Sequence, residues 1–129
     1  MNETEIKQLI KDTVNATVQR LKMEGLLKDG TKSAFQKTEA LLWQYPQLKE
    51  VDDPYARKVV AEIDSCLADV ENDPFVDVIR LYYFGGLTNV ACAKTMCYDE
   101  RTCRRNRRAL VERFSVRLAS EEFIRDLLL

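Results

Sequence analysis

Five arginines fall within eight positions of this chain: Arg101, Arg104, Arg105, Arg107 and Arg108. A guanidinium is permanently charged and presents its donors in a rigid planar fork, so such a row suits phosphate oxygens and the acceptor edges of bases. The residues around it suggest how the row is presented. Asn89 to Met96 reads as a short helix, followed by a short turn and a long helix opening at Asp99. Thr88 and Asp99 are good N-cap types, because their side-chain oxygens accept from otherwise orphan backbone N–H groups. Ala93 lies where two helices must approach closely. Cys92, Met96, Tyr98 and Cys103 supply the small and medium apolar groups that such a unit needs against its core. The layout suits a second helix held in the DNA major groove, touching phosphates and base edges at once.

Helical phase separates the arginines. At roughly 100° per residue, Arg101, Arg105 and Arg108 share one face, and Cys103, Leu110 and Phe114 share the opposite one. Arg104 flanks the exposed face, and Thr102 sits near its other edge. Arg107 falls close to the buried edge and is expected to pair with an acidic residue of the body or to snorkel. The expected DNA-contacting set is Thr88, Asn89, Arg101, Thr102, Arg104, Arg105 and Arg108. Arg101, Thr102 and Arg105 are assigned to base edges, because the first turns of a recognition helix go deepest. Arg104 and Arg108 are assigned to phosphates. Thr88 and Asn89 open the shorter helix, whose N-terminus can itself hold a phosphate. An arginine-rich face on an arbitrary helix is often only solvated surface. The two-helix spacing is what sets this one apart.

Net charge is only −1, so the total does not announce a nucleic-acid partner, but the distribution is polarised. From Asp99 to Arg117 there are seven arginines against three acidic residues. From Pro46 to Asp77 there are nine acidic residues against three basic ones. A chain arranged this way can carry one basic face and stay soluble. Catalysis is not expected: histidine is absent, which removes the commonest general base, and there is no Gly-rich phosphate loop. Asp52-Asp53 and Glu121-Glu122 are adjacent pairs that point apart on a helix and read as solvated charge. The four cysteines lack C-x-x-C spacing, so Cys92 and Cys103 read as core, with neither metal nor cofactor expected. Trp43, Tyr45 and Tyr55 also read as core aromatics.

Glycine and proline are scarce and strand-like alternation is absent, so the expected fold is all-α. Ile6, Leu9, Ile10, Val14, Val18 and Leu21 mark a first amphipathic helix, closed by Lys28-Asp29-Gly30. A second helix starts at Thr31 or Ser33 and is expected to end before Pro46. Pro54 begins a third, with Tyr55, Val59, Ile63, Cys66 or Leu67, and Val70 as its stripe. A fourth is expected over Phe75 to Phe84, before the Gly85-Gly86 turn. The weakest junction lies near residues 46–53, giving an N-terminal helical part, 1–53, for assembly or interaction and a helix-turn-helix domain, 54–129. No stretch reaches the length of a membrane span, and MNETEIKQL lacks the marks of a signal peptide, so a cytoplasmic location with reduced thiols is expected.

Asp73 to Leu118 resembles region four of bacterial sigma factors. The residues that carry the likeness are Val78 to Phe84, Gly86-Leu87-Thr88, Ala93, Met96, Asp99 to Thr102, Arg104-Arg105 and Leu110. Leu26 to Gly30, Ser33-Ala34-Phe35, Thr38 to Leu42 and Tyr45-Pro46 are similar to ArpU-type regulators of phages and prophages of Gram-positive bacteria. The chain departs from the sigma-like pattern at Cys97, at Cys92 and Cys103, and at Asn106. The resemblance implies a double-stranded DNA-binding regulator of late phage genes or of autolysis; a rival reading is a protein-interaction module in which the acidic half docks RNA polymerase and DNA contact is secondary. A phage DNA-packaging adaptor of the small-terminase kind would share the same parts. Two apolar stripes, Ile6 to Leu21 and the run Phe123, Ile124, Leu127, Leu128 and Leu129, predict a homodimer built mainly through residues 1–45. The alternative is that the two stripes pack on each other within one chain.

Overall fold

The computed structural model describes residues 2–128, with backbone alone for 12–16 and 19. The chain is all-α, with no strand among the described residues. Its elements are α1 (Glu3–Lys28), α2 (Ala34–Leu48), α3 (Pro54–Asp69), α4 (Val76–Ile79) with a π-helical turn (Arg80–Phe84), α5 (Asn89–Met96), α6 (Glu100–Leu118) and α7 (Glu121–Leu128).

Polar side chains begin these helices. Asn2 and Ser33 each close a reciprocal capping box, with Glu5 and Gln36 respectively. The carboxylates of Asp53 and Asp99 and the hydroxyl of Thr88 accept from the N–H groups of Ala56, Thr102 and Ala91. Each bond satisfies a donor that the helix cannot satisfy itself. Pro54 occupies the first turn of α3, where its missing N–H costs nothing.

One expected boundary is wrong, and one expected helix keeps its bounds but changes its winding. The second helix does not stop before Pro46 but runs through it to Leu48. Tyr45 and Leu48 are both buried, and keeping the two against the core outweighs the one hydrogen bond that Pro46 cannot donate. The fourth helix is α-helical only over Val76–Ile79 and then widens. There the Gly85 N–H donates to the Arg80 carbonyl at 2.8 Å, five residues back. A Cβ on Gly85 would lie 2.9 Å from the Leu81 carbonyl, so this closure needs glycine.

A main core joins α2, α3, α6 and the π-helical turn. Leu41, Leu42, Val59, Ile63, Ile79, Val111 and Leu118 are fully buried in it. α2 is the principal packing partner of α6, so the connection 49–53 links two helices of one core. A smaller cluster of Val78, Ala93 and Cys103, with Phe75 and Met96 against it, seats α5 on α4 and α6. The C-terminal stripe is not uncovered as expected. Leu127 is buried, and Phe123, Ile124 and Leu128 pack against the main core. Leu129 lies outside the described residues. Trp43 is also not core: it is half exposed. Among the described side chains of α1, only Met23 and Leu27 are buried, while Ile6, Leu9, Ile10, Val18 and Leu21 are exposed. The side chain of Val14 lies outside the described residues.

The turn between α5 and α6 is Cys97-Tyr98-Asp99. The Tyr98 N–H donates to the Ala93 carbonyl at 3.2 Å and the Cys97 N–H to the Lys94 carbonyl at 3.4 Å. This is the double closure that places the residue after the helix in the left-handed region. Cys97 takes φ 60° and ψ 35° there. A Cβ in that conformation costs about 1–2 kcal/mol, and the Cys97 side chain is exposed and fills no core. Replacing it, Cys97→Gly, should therefore raise stability by about 1 kcal/mol in urea unfolding, net of glycine's greater freedom in the unfolded chain. An unchanged or lowered midpoint would show that the turn is not strained at this residue.

Candidate nucleic-acid interface

α6 begins inside a tight polar cap. The Asp99 carboxylate accepts from both the hydroxyl and the N–H of Thr102, each at 2.7 Å. These two bonds hold its carboxyl below the usual range. The Thr102 proton is thus committed to the cap, and its oxygen keeps only acceptor capacity towards anything outside.

Arg101, Arg104, Arg105 and Arg108 are exposed along the next two turns. Among the described residues, Arg101 and Arg105 make no ion pair, and Arg105 senses the charge of Asp99. Arg104 reaches Glu100 at 3.9 Å, an exposed contact of little energetic weight. The Arg108 guanidinium lies over the Phe35 ring, 4.6 Å from its centroid, which holds the side chain against α2. Thr88 is exposed and Asn89 half-buried where α5 begins. The structure thus gathers four of the expected arginines on one face of α6 and places Thr88 and Asn89 at the start of the preceding helix.

Arg107 does the opposite, as its phase implies. It is buried, with 5% of its surface exposed. Its Nη1 donates to the Tyr83 hydroxyl at 2.8 Å and lies 3.6 Å from Glu39 Oε2. The Tyr83 hydroxyl in turn donates to the same Glu39 oxygen at 2.6 Å. The guanidinium stacks over the Tyr82 ring at 3.9 Å, and Trp43 packs on both Tyr82 and Tyr83. Arg117, at the far end of α6, is likewise turned inward. Its Nε and Nη1 meet Glu62 at 2.8 Å and Asp69 at 2.6 Å, and its Nη2 donates to Ser65. Two of the seven arginines are therefore spent holding α6 to α2 and α3.

Sequence reasoning missed Glu39, Tyr83 and Phe35. Only the buried phase of Arg107 pointed inward. Its partner stands 68 positions earlier, and no local spacing links the two. The buried thiols of Cys92 and Cys103 are pushed up by loss of water, and Cys66 to about 11. A protonated thiol is a poor nucleophile and ligand. Among the described residues, no group of three or more His, Cys, Asp or Glu could hold a metal ion. No helix among them is long and apolar enough to cross a membrane. No family model, curated protein or solved structure matches the chain.

Removing the partner of a buried charge is costly. Glu39→Ala should destabilise the fold by about 2 kcal/mol, less than for a fully buried pair because Glu39 keeps some contact with water. Thermal unfolding measures this, and a change near zero would mean that Arg107 finds water or another partner. Stability should also fall in alkali. Burial, followed by a hydrogen bond to Asp64, holds the Tyr45 hydroxyl at about 12, and burial holds Tyr55 at about 12. Burial and the bond to Glu39 raise Tyr83 in the same direction. The folded state keeps protons that the unfolded chain releases near pH 10. This contribution is whole below about pH 10 and is lost as pH climbs towards 12. Tyr83→Phe should make the decline shallower. A flat stability profile across that window would contradict the burial of these hydroxyls.

Proposed function

We propose that this chain is a sequence-specific, double-stranded DNA-binding transcription regulator that lays α6 in the major groove. It is of the phage or prophage kind that its sequence resembles, acting on late or lysis genes. The observation that carries this reading is the exposed face of Arg101, Arg105 and Arg108, which starts in the first turn of a helix entered through a three-residue turn. In such a unit the first turns of the second helix lie deepest in the groove. Arg101 and Arg105 are the side chains for base edges. Arg104 and Arg108 are placed for phosphates, Arg108 from its seat on Phe35. The backbone N–H groups at the start of α5, beside Thr88 and Asn89, offer a further phosphate contact. Thr102 serves first as the partner of Asp99 and can only accept from a base.

The rival reading is a module whose acidic half docks RNA polymerase, with DNA contact secondary. Asp64, Glu71 and Asp77 are exposed on and after α3, apart from the arginine face in sequence and in element. Capture of polymerase in the absence of DNA tests that contact, and failure of capture removes it without touching the DNA reading.

For DNA, fluorescence anisotropy on a selected site is the test. Arg101→Ala or Arg105→Ala should each cost about 1–3 kcal/mol and blunt discrimination between sites. Arg108→Ala should weaken all sequences about equally. Affinity should fall steeply with salt, because neutralised phosphates release counterions. Unchanged binding in the Arg101→Ala, Arg105→Ala double variant would overturn the assignment of α6.

A further inference from the structure

The first turn of α6 holds a hydroxyl whose hydrogen-bonding sense is fixed by its neighbour. Asp99 is the N-cap of α6. One of its carboxylate oxygens accepts from the Thr102 N–H and the other from the Thr102 hydroxyl, each at 2.7 Å. These bonds keep the Asp99 carboxyl below the usual range, so it is ionised at neutral pH. An ionised carboxylate has no proton to give, and the hydroxyl can only donate to it. Asn106 does not compete for that hydroxyl, because its Nδ2 donates to the Thr102 carbonyl at 2.8 Å. Among the described residues no donor meets Thr102 Oγ1. Its lone pairs are therefore all it can offer to a partner outside the fold. Thr102 is half-buried and lies roughly 60° from Arg105 on the helical wheel, at the edge of the exposed arginine face.

We infer that Asp99, acting through Thr102, sets a base preference of α6: it makes Thr102 an acceptor that selects a base carrying an amino group, adenine or cytosine. In the major groove adenine presents its N6 amino group and cytosine its N4 amino group, where guanine and thymine present carbonyl oxygens. A threonine hydroxyl that is free to rotate can donate or accept, so it serves either class and separates neither. One locked by Asp99 sets lone pair against lone pair at a keto base and leaves the base carbonyl unpaired in the closed groove. The amino base should therefore be preferred about tenfold at this one position. A cap alone does not require this arrangement. The orphan N–H of Thr102 needs one oxygen, which any short capping side chain supplies. The second bond, to the hydroxyl, satisfies no backbone group of the helix and fixes only the rotor. The inference rests on the DNA reading of α6 and adds to it the class of base read. Asp99 is in this sense a positioning residue.

Binding of the full chain to a duplex selected from random sequence tests it, with A·T exchanged for G·C, or the reverse, at each position in turn. Thr102→Val removes the oxygen. The position that Thr102 reads is then the one where affinity for the preferred base falls about tenfold, to that for the exchanged base. Asp99→Asn keeps the cap, because the amide oxygen still accepts from the Thr102 N–H. Its NH2 group now donates to the hydroxyl and turns the hydroxyl proton outward. At that same position the keto base should bind as well as the amino base, so the tenfold ratio falls to about one. Loss of one negative charge strengthens binding to every duplex alike, so the ratio is the readout. The ratios at positions read by Arg101 and Arg105 should not move. Thr102→Ser keeps the oxygen and its proton and should keep the wild-type ratio. An unchanged ratio in Asp99→Asn overturns the inference and leaves the DNA reading standing. So does a Thr102→Val protein with wild-type ratios at every position. A wild-type chain that selects no sequence overturns both.

Discussion

A guanidinium taken out of water loses several kcal/mol of hydration, which only close partners in a fixed geometry can offset. Arg107 is in that position, and its partners come from two other parts of the chain: Glu39 on α2, and Tyr82 and Tyr83 in the π-helical turn. Once Arg107 is fixed inward, the rotation of α6 about its own axis is fixed as well. A slip of one residue would turn the helix by roughly 100° and leave the charge without its partners. The same rotation puts Arg101, Arg105 and Arg108 outward. The buried arginine and the exposed ones are thus one constraint seen from two sides. Phe35 and Glu39, spaced by four on α2, meet Arg108 and Arg107 of α6, and Trp43, four further on, packs on the tyrosines of the π-helical turn.

Much of the local structure was legible because it depends on neighbours in sequence. Thr88, Asp99 and Ser33 cap helices where a short polar side chain precedes an apolar period, whereas Asp53, read as solvated charge, proves to cap α3. Cys103, Leu110 and Phe114 are buried as their phase requires. The misses share a different cause. Pro46 reads as a stop on local grounds, but two long-range contacts, at Tyr45 and Leu48, keep the last turn of α2 helical. The widened turn at Arg80–Phe84 follows from the close approach of Gly85 to the Leu81 carbonyl, which no periodicity reveals. The covering of Leu127 depends on where α7 lands against α3, a question of tertiary docking. For the candidate site, the phase of the arginines was readable, and the identity of what anchors Arg107 was not.

The polarity of charge along the chain has a structural use as well as a proposed functional one. Part of the acidic surplus of α3 is consumed within the fold, where Glu62 and Asp69 take Arg117. Arg117 and Arg107 fasten the lower and middle turns of α6, so its first two turns are free to carry unpaired charge. The strained turn at Cys97 sits directly before those turns and sets the direction from which α6 starts. α1 lies outside this arrangement. Among its described side chains only Met23 and Leu27 are buried, with Leu26 packed beside them against the core.

The central claim is that one face of α6 meets double-stranded DNA. The most direct measurement is a backbone amide NMR titration of the chain with a short duplex at low salt, where even non-selected sequence binds through the phosphate-reading surface. The account predicts that the largest shifts fall on residues 99–108 of α6 and on Thr88 and Asn89, with α3 and α7 unmoved. Shifts centred on α1 or α3, or no shift at millimolar duplex, would contradict it.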